Sequence, residues 1–342
     1  MAALCGCKGD KEAASRAAPS PTAQASNKAL AAPSGSATVV GSAALPATSA
    51  TAAAGPLLSA VEELALGARM DCARKSDATV WCWEPGKPAK RQGISDVQQI
   101  AVVQGFVCAI HKGKIACTDT QTNATTPITL YRDGVVLAGG PDGYCVRTED
   151  GVLRCGLKDA AKNEIKAPSG MPGLKNPSEF AIGPVLGCAV LDADVWCWNN
   201  AKGAGIPKTM APIQNPQGVA VGQELACSNT KEGEVQCYPA ALDGKPRKAE
   251  GWTEVAALSM AYGPDGRDRL CAMKRDGSVW CAGLKGEGAG VELDTPSRIE
   301  GVVDAVALGT GAASHRCART KSGNVWCWER GQASATAVTE AP

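Results

Sequence analysis

The chain has 342 residues, and its 35 Lys and Arg residues nearly balance its 34 Asp and Glu residues, for a formal charge of +1. This balance argues against nucleic acid as a main ligand, because phosphate-binding domains normally carry a clear basic excess. Histidine occurs only at positions 111 and 315, so the commonest general base and metal ligand is missing from most conceivable sites. Sixteen cysteines favour an oxidising, extracytoplasmic compartment.

Residues 1–9, MAALCGCKG, resemble the end of a bacterial lipoprotein signal, in which a small residue precedes the cysteine that receives lipid. We expect Cys7 to be that cysteine, with Cys5 as the alternative, and the true start of the chain to lie upstream of Met1. The other interpretation is an ordinary cytosolic start with two incidental thiols. No run of about 20 apolar residues occurs in the chain, so the sequence predicts membrane attachment through the lipid only.

Residues 10–56 are dominated by Ala, Ser, Thr, Pro and Gly. Five prolines interrupt any helical pattern, and the segment has no aromatic residue that could contribute to a core. We expect a disordered, semi-extended tether between the anchor and the remainder of the chain.

The fourteen cysteines after the tether form seven pairs whose members lie nine or ten residues apart. The first cysteines recur every 36 to 46 residues, and CARKSDATVWCW, CAMKRDGSVWCA and CARTKSGNVWCW are close copies of one repeat. The pairs are Cys72 and Cys82, Cys108 and Cys117, Cys145 and Cys155, Cys188 and Cys197, Cys227 and Cys237, Cys271 and Cys281, and Cys317 and Cys327.

Each pair has the spacing of a β-hairpin. A two-residue turn at Lys112-Gly113 suits type I′, and a three-residue turn over 275–277 suits a type I turn closed by a left-handed Gly277. Both counts place the two cysteines opposite each other at a non-hydrogen-bonded position, about 4.5 Å apart at Cα, which a disulfide tolerates. Ala78 and Asp192 stand where glycine would be easiest, so we expect strained or slightly different turns there.

Three chemistries compete for the cysteine pairs. Structural zinc and catalytic dithiols both favour C-x-x-C spacing, and zinc sites often add histidine, whereas these pairs show neither feature. Seven cross-strand disulfides explain the number, the spacing and the compartment together. Each closes a short loop and should contribute roughly 2–3 kcal/mol.

A repeat of about 41 residues has room for four short strands. Such units cannot bury both apolar faces alone, and seven of them close readily into a ring, so the sequence predicts an all-β, seven-bladed β-propeller over residues 57–342. We expect the chain termini to share a blade and close the ring. Four tryptophans before the second cysteine are expected to pack between blades rather than serve as sugar-stacking platforms: Trp81, Trp196, Trp280 and Trp326. Strand alternation is expected to point Trp83, Trp198 and Trp328 the other way.

The repeat core, C-A-x-K-x-x-G-x-V-W-C-W, resembles the regulator of chromosome condensation repeat, in its cysteine-bearing version from bacterial surface and secreted proteins. The resemblance covers Leu57 to about Thr339, with four strong copies and three eroded ones. It implies a seven-bladed propeller. The family's eukaryotic founder is a nucleotide-exchange factor that binds chromatin, but that activity depends on loops this sequence does not match. A secreted bacterial propeller that inhibits β-lactamase is similar in architecture, and it implies binding through a loop-rich face.

We therefore expect a lipid-anchored or secreted monomer of the bacterial cell envelope that binds an unknown protein or polymer partner through one loop-rich face. No catalytic residue, metal site or cofactor is assigned. The alternatives are a purely structural envelope protein and a polysaccharide lyase or hydrolase acting at the central channel. The only groups to nominate for such an enzyme are His111, Asp192 and Asp194; the two aspartates are better explained as turn residues, and His315 as a packing residue. Loop residues that a binding site could use are Asn163, Asn199, Asn200, Lys202 and Lys208.

Overall fold

The computed structural model describes residues 55–122, 125–128, 133–159, 162, 164–199, 205–210, 213–240, 245–262, 267–286, 291–311 and 313–341. Cys5, Cys7 and the predicted tether up to residue 54 therefore lie outside the described residues. The elements of the described part are β-strands, and none of its segments forms a helix long and apolar enough to cross a membrane.

The strands form seven sheets, which confirms the predicted seven-bladed propeller. Each sheet pairs antiparallel strands from one continuous part of the chain, except that Thr310–Gly311 of the last repeat adds to the first sheet in parallel. Blades 1 to 4 contain β1 (Val61–Leu66), β2 (Asp71–Lys75), β3 (Val80–Trp83) and β4 (Lys90–Arg91); β5 (Gln99–Val103), β6 (Phe106–His111), β7 (Lys114–Asp119) and β8 (Thr125–Ile128); β9 (Gly134–Gly139), β10 (Gly143–Thr148), β11 (Val152–Asp159), β12 (Glu164–Ile165) and β13 (Ser169–Lys175); and β14 (Glu179–Ile182), β15 (Leu186–Leu191), β16 (Asp194–Asn199) and β17 (Lys208–Thr209).

Blades 5 to 7 repeat this order, with the first strand of each blade innermost. They contain β18 (Pro216–Val221), β19 (Leu225–Thr230), β20 (Val235–Pro239) and β21 (Arg247–Lys248); β22 (Val255–Tyr262), β23 (Asp268–Lys274), β24 (Val279–Lys285), β25 (Glu292–Leu293) and β26 (Ser297–Arg298); and β27 (Ala305–Leu308), β28 (Thr310–Gly311), β29 (Arg316–Thr320), β30 (Val325–Trp328) and β31 (Thr336–Ala337). The short β28 pairs with β1 of the first blade in parallel.

All seven predicted disulfides are present, one in each blade, and every one joins directly opposed residues of the second and third strands. In blade order they join Cys72 with Cys82, Cys108 with Cys117, Cys145 with Cys155, Cys188 with Cys197, Cys227 with Cys237, Cys271 with Cys281, and Cys317 with Cys327. The pairing expected from the spacing is therefore confirmed in every blade.

The paired cysteines lie closer together than the sequence predicted. Their Cα atoms are 3.9–4.1 Å apart, whereas about 4.5 Å was expected for an ideal non-hydrogen-bonded position. The cysteines nevertheless occupy non-hydrogen-bonded positions of the antiparallel ladder, because the Cα atoms of hydrogen-bonded pairs are farther apart, at about 5.5 Å. The change between nine- and ten-residue spacing follows turn length, because the register of the cysteines is the same in both kinds of hairpin.

The turns also follow the sequence. Lys112 and Gly113 both have positive φ, 47° and 74°, as type I′ requires, and Gly277 has φ 77°. Ala78 takes a left-handed conformation, with φ 61°, at the position where the other three-residue turns have glycine. Asp192 has φ 55° while its neighbour in the turn does not have positive φ, so this two-residue turn differs from type I′, as expected.

The buried side chains of the described residues form seven hydrophobic clusters, one at each interface between successive blades, including the interface between blades 7 and 1. In every blade the cysteine pair faces the following blade. The residues on either side of the second cysteine face the preceding blade, because side chains alternate along a strand. The core of the molecule is thus divided into seven layers that run around the ring.

The predicted orientation of the second tryptophan was wrong. Trp81 and Trp83 lie two residues apart in β3, so they share a face, and both pack into the cluster between blades 7 and 1. The second tryptophan is the better buried of the two: Trp83, Trp198 and Trp328 have exposed fractions of 3%, 0% and 3%. The four tryptophans that precede the second cysteine are partly buried against the same layers: Trp81, Trp196, Trp280 and Trp326.

The chain termini meet and close the ring, as expected, but the expectation that they share a blade was wrong. Blade 1 has its own outer strand, β4, and blade 7 has its own outer strand, β31. The ring is closed instead by a strap in which residues 55–58 run beside residues 338–341. The Leu58 amide donates to Val338 O (2.8 Å), and the Glu340 amide donates to Pro56 O (2.8 Å). We call these two segments the closing strap.

Candidate functional site

Each blade has two edges, and they give the ring two different faces. Since successive strands are antiparallel, the first-to-second and third-to-fourth connections meet on one face, which we call the loop face. The second-to-third turns lie on the opposite face, which we call the hairpin face. The hairpin turns contain two or three residues, and the connections from one blade to the next, on the same face, vary from residues 176–178 to residues 92–98. The third-to-fourth connections vary from residues 120–124 in blade 2 to residues 286–296 in blade 6. The longest connections therefore lie on the loop face.

A cavity of about 470 Å³ opens on the loop face where blade 7 meets blade 1. The cavity is lined by two buried polar side chains, Asp71 and His315, and by the indoles of Trp83 and Trp328. The other residues around it come from the third-to-fourth connections and from the ends of strands in the two blades: Pro85, Gly86, Lys87, Pro88, Cys327, Glu329, Gln332, Thr336, Ala337, Val338 and Thr339. We call this the junction cavity.

The polar pair of the junction cavity links the two ends of the ring. Nε2 of His315 lies 2.6 Å from Oδ2 of Asp71, and the Gly67 amide donates to Oδ1 of the same carboxylate at 3.3 Å. The two side chains are 3% and 0% exposed. Burial raises the pKa of the Asp71 carboxyl above its usual range; the hydrogen bond from His315 and the charge of Arg316 act in the opposite direction.

The residues of this pair could suggest a metal centre, because ligand atoms of Asp71, His315 and Cys317 lie within 4.8 Å of one another. However, Cys317 is joined to Cys327 in a disulfide. Its sulfur is therefore not a thiolate, and thiolate is the form of cysteine that binds metal. The donor set does not fit a metal ion, and we assign none to it.

The same two positions are apolar at four other interfaces. One position is the residue immediately before the first cysteine of a blade. The other is the residue two positions before the first cysteine of the preceding blade, and the two side chains pack into the same hydrophobic layer. These pairs are Val107 with Met70, Tyr144 with Phe106, Ala226 with Leu186 and Leu270 with Leu225. Between blades 7 and 1 the corresponding residues are Asp71 and His315, and between blades 6 and 7 they are Arg316 and Arg269. The sequence carried this signal, since these positions can be aligned on the cysteines, but the interpretation of His315 as a packing residue missed its carboxylate partner.

Asp268 is a second buried carboxylate near the loop face, with a structural role. It accepts hydrogen bonds from the backbone amides of Gln223, Glu224 and Leu225 at 2.7, 2.7 and 2.9 Å, so it fastens blade 6 to the first loop of blade 5. Its side chain is 0% exposed. Burial raises the pKa of Asp268, and the three amide hydrogen bonds oppose that rise.

The central channel contains a cavity of about 350 Å³ along the inner strands of blades 3 to 7. Most of its wall is apolar or small. The polar side chains beside it include Glu179, whose pKa is raised by partial burial and lowered less strongly by the charge of Arg147, and Asn229, which is 2% exposed. A single glutamate without a second converging carboxyl or imidazole does not provide an acid–base pair in the described part of the wall.

The residues nominated for an enzyme do not come together. His111 ends β6 in blade 2, where its Nδ1 lies 2.9 Å from the carbonyl oxygen of Asp96. Asp192 lies in the hairpin turn of blade 4 and Asp194 begins β16 directly after it, so both are on the hairpin face rather than in the channel. Of the loop residues considered for binding, Asn199 and Lys208 are exposed at strand ends on the rim of blade 4, and Asn163, Asn200 and Lys202 lie outside the described residues.

No protein-family model matches the sequence, and no curated protein matches it. Solved structures do match. Prp20p from Saccharomyces cerevisiae, described with its binding to Gsp1p and histones, is 13% identical with a TM-score of 0.56, over 82% of this chain and 83% of that one. Human WBSCR16 is 13% identical with a TM-score of 0.57, over 74% of this chain and 84% of that one.

A bacterial surface protein is also similar. PorZ, a component of the type-IX secretion system of Porphyromonas gingivalis, is 12% identical with a TM-score of 0.54; the match covers 84% of this chain but 39% of PorZ. At such identities the similarity shows the fold alone. Prp20p is a regulator of chromosome condensation type protein, so the resemblance seen in the repeats is supported at the level of fold. The seven disulfides suggest an oxidising, extracytoplasmic environment.

Proposed function

We propose that this protein is a lipid-anchored propeller of the bacterial cell envelope, held by Cys7, or alternatively Cys5, and by the tether of residues 10–56. It binds a protein or polymer partner through the loop face, as a monomer and without catalysis. The observation that carries the proposal is the contrast between the faces: short hairpin turns and connections of at most seven residues between blades on one side, and third-to-fourth connections of up to eleven residues on the other. Binding propellers among the similar structures give further support.

The choice of face can be tested with two exposed apolar residues. Ile206 lies in a third-to-fourth connection of the loop face and is 80% exposed, and Val303 lies between blades 6 and 7 on the hairpin face and is 61% exposed. A photo-crosslinking amino acid is placed at one or the other position in the natively expressed protein. We expect Ile206 to give a discrete crosslinked species in intact cells, and Val303 to give none. Crosslinking from Val303 alone, or equally from both, would contradict the loop face as the binding surface.

The anchor and the absence of catalysis need separate measurements. Mass spectrometry of the native protein should find a diacylglycerol-type modification on Cys7 or Cys5, and an unmodified Met1 terminus would exclude the anchor. The purified protein should leave envelope polysaccharides intact. Release of reducing ends or unsaturated products from such a polymer would instead favour the enzyme alternative.

A further inference from the structure

The cavity of the central channel is open toward the hairpin face, where the inner strands begin. The lining residues near the starts of these strands are exposed: Gln217, Ala256 and Val306. The lining residues near their ends are buried, with exposed fractions of 4–7%: Ile182, Val221, Met260 and Leu308. At the loop-face end, β28 lies beside the inner strands of blades 1, 2, 3 and 6 and so crosses the channel. A ligand would therefore enter this cavity from the hairpin face, away from the surface proposed for the partner.

Two hydrogen-bond acceptors without a donor line this cavity, and they reach it from the adjacent blades 4 and 5. The Glu179 carboxylate makes no hydrogen bond or ion pair with the described residues. Asn229 is 2% exposed, and its Oδ1 is buried without a hydrogen-bond partner, while its Nδ2 lies 3.5 Å from the carbonyl oxygen of Val255. A buried acceptor that has no donor is destabilising, and a ligand that supplies one would remove that cost.

A glycine leaves room beside the Asn229 amide. Gly218 is the Cα partner of Asn229 in the ladder and also lines the cavity, and a Cβ at position 218 would lie 2.8 Å from Oδ1 of Asn229. The partly exposed residues of the surrounding wall are small or aliphatic: Ala181, Val219, Ala257, Leu258 and Ala307. A mostly apolar wall with a few polar groups is typical of sites for small molecules.

The charge in this wall favours a cation. No Lys or Arg occurs among the described residues that line the cavity. The positive charge that acts on Glu179 comes from Arg147, whose Nη1 donates to the carbonyl oxygen of Pro177 at 2.7 Å. Arg147 lowers the pKa of Glu179 less strongly than burial raises it. The described wall therefore offers acceptors and negative charge, and an anion would find no cationic side chain in it.

We propose that the central channel binds a small primary amine with an apolar body, whose ammonium group lies between Glu179 and Asn229. An ammonium group has three N–H donors and no acceptor, which matches two acceptors that lack donors, and its charge matches the carboxylate. The apolar body lies against the aliphatic wall, where Val219 and Leu258 are partly exposed. The site goes beyond the proposed function, since it lies inside the ring and needs no partner on the loop face.

Calorimetry of the full chain with hexylammonium chloride tests the site, with sodium chloride used to keep ionic strength constant. Glu179→Gln should weaken binding about tenfold or more, because it replaces a charge-assisted hydrogen bond with a neutral one. Glu232→Gln is the matched control, because Glu232 is exposed in the hairpin turn of blade 5 and does not line the cavity. No binding by the wild type, or equal binding by the Glu179 variant, would overturn the proposal.

A second variant keeps the carboxylate and acts on Asn229. Gly218→Ala places a methyl group against Oδ1 of Asn229 and should weaken hexylammonium binding about tenfold or more, while circular dichroism and the melting temperature show that the propeller is intact. Unchanged binding by this folded variant would contradict the role of Asn229. Hexanol should bind the wild type about tenfold more weakly than hexylammonium. Equal affinity for the alcohol would mean that the wall selects for the apolar body alone, and it would overturn the proposal.

A peptide with blocked ends and one central lysine distinguishes a free amine from the side chain of a protein. It should bind about tenfold more weakly than hexylammonium, because a cavity of about 350 Å³ leaves little room for a peptide backbone. Tighter binding of the peptide would overturn the assignment to a small molecule. The Ile206 crosslinking result does not depend on Glu179, so failure of this site and failure of the proposed binding face are separable.

Discussion

Ala78 occupies a backbone conformation that L-residues avoid. The left-handed region costs a non-glycine residue about 1–2 kcal/mol. Glycine avoids this cost, but its greater conformational freedom in the unfolded chain offsets part of the resulting stabilisation. We expect Ala78→Gly to raise the free energy of unfolding by up to about 1 kcal/mol, measured by urea denaturation.

Gly277 provides the reverse test at the equivalent position of blade 6. Its φ is 77°, and a Cβ there would lie 2.9 Å from the Cα of Asp304. Gly277→Ala should lower the free energy of unfolding by about 1–3 kcal/mol. If both substitutions shift stability in the same direction, the left-handed conformation is not what distinguishes these turns.

Asp268 makes stability depend on pH with a sign opposite to that of most carboxylates. Its pKa is raised in the folded protein, so the folded state holds this proton more tightly than the unfolded state does. The resulting stabilisation is complete below the ordinary Asp pKa and is lost as pH rises through the raised value. The advantage of the wild type over Asp268→Asn should therefore be larger at about pH 3.5 than at about pH 7, in urea titrations at both values.

Asp276 is the matched control for this measurement. The Ser278 hydroxyl and amide donate to its carboxylate at 2.6 and 2.9 Å, and these bonds lower the pKa of Asp276. Its contribution is present at neutral pH and is lost as pH falls through the lowered value. The wild-type advantage over Asp276→Asn should decrease toward acid pH, and a change in the same direction for both variants would contradict the assignment.

At the scale of the element, each hairpin is closed by a disulfide that faces the next blade. Replacing Cys108 and Cys117 by alanine should lower the free energy of unfolding by about 2–3 kcal/mol, because the bridge no longer restricts the unfolded chain. Removing the Cys227 and Cys237 bridge as well should give the sum of the two losses, since blades 2 and 5 share no interface. Urea denaturation without reductant measures both, and no loss from either removal would show that the bridges do not contribute to stability.

The small residues that end each inner strand also belong to this scale. Inner strands of neighbouring blades converge toward the channel, so their backbones approach one another closely. A Cβ on Gly183 would lie 2.7 Å from the carbonyl oxygen of Gly222 in the next blade. The sequence showed these small residues in every repeat, but their partners became visible only when the blades were placed side by side.

At the scale of the whole molecule, the closing strap joins the two ends of the ring. Thr339 O accepts from the Ala89 amide (2.7 Å), Glu340 and Ala341 donate to Pro56 O and Ala89 O (both 2.8 Å), and Lys75 Nζ lies 2.8 Å from Glu340 Oε1. Removing residues 339–342 should lower the free energy of unfolding by about 2–4 kcal/mol, since three backbone hydrogen bonds are lost.

A second variant distinguishes the contribution of the Lys75–Glu340 ion pair from that of the backbone hydrogen bonds of the strap. Lys75→Ala removes the ion pair and the cation–π contact of the Lys75 ammonium with the Trp81 ring (4.9 Å) but leaves the strap backbone intact, and it should cost at most about 1.5 kcal/mol. Calorimetric melting of both variants makes the comparison. A Lys75→Ala loss as large as that of the truncation would mean that the charge, rather than the strap backbone, closes the ring.

The sequence by itself determined the number of blades, the seven disulfides and most of the turns. These features depend on contacts within about a dozen residues, where hairpin register and turn length leave one arrangement. It indicated the wrong direction for Trp83, and although it predicted that the chain ends close the ring, it wrongly placed them in one blade. The closing strap depends on two chain ends that meet only after seven blades have stacked, so local patterns did not contain it.

Only the tertiary structure decided which polar groups meet between blades. Asp71 and His315 are 244 residues apart in the chain and 2.6 Å apart in the junction cavity. Gln223 and Asp268 are 45 residues apart and meet at 2.7 Å only because blades 5 and 6 are adjacent. Such pairs are set by how neighbouring sheets are aligned at their loop-face ends. The sequence of a single repeat predicts where each residue lies within its blade. Which residue of the neighbouring blade it contacts is decided by how the blades stack.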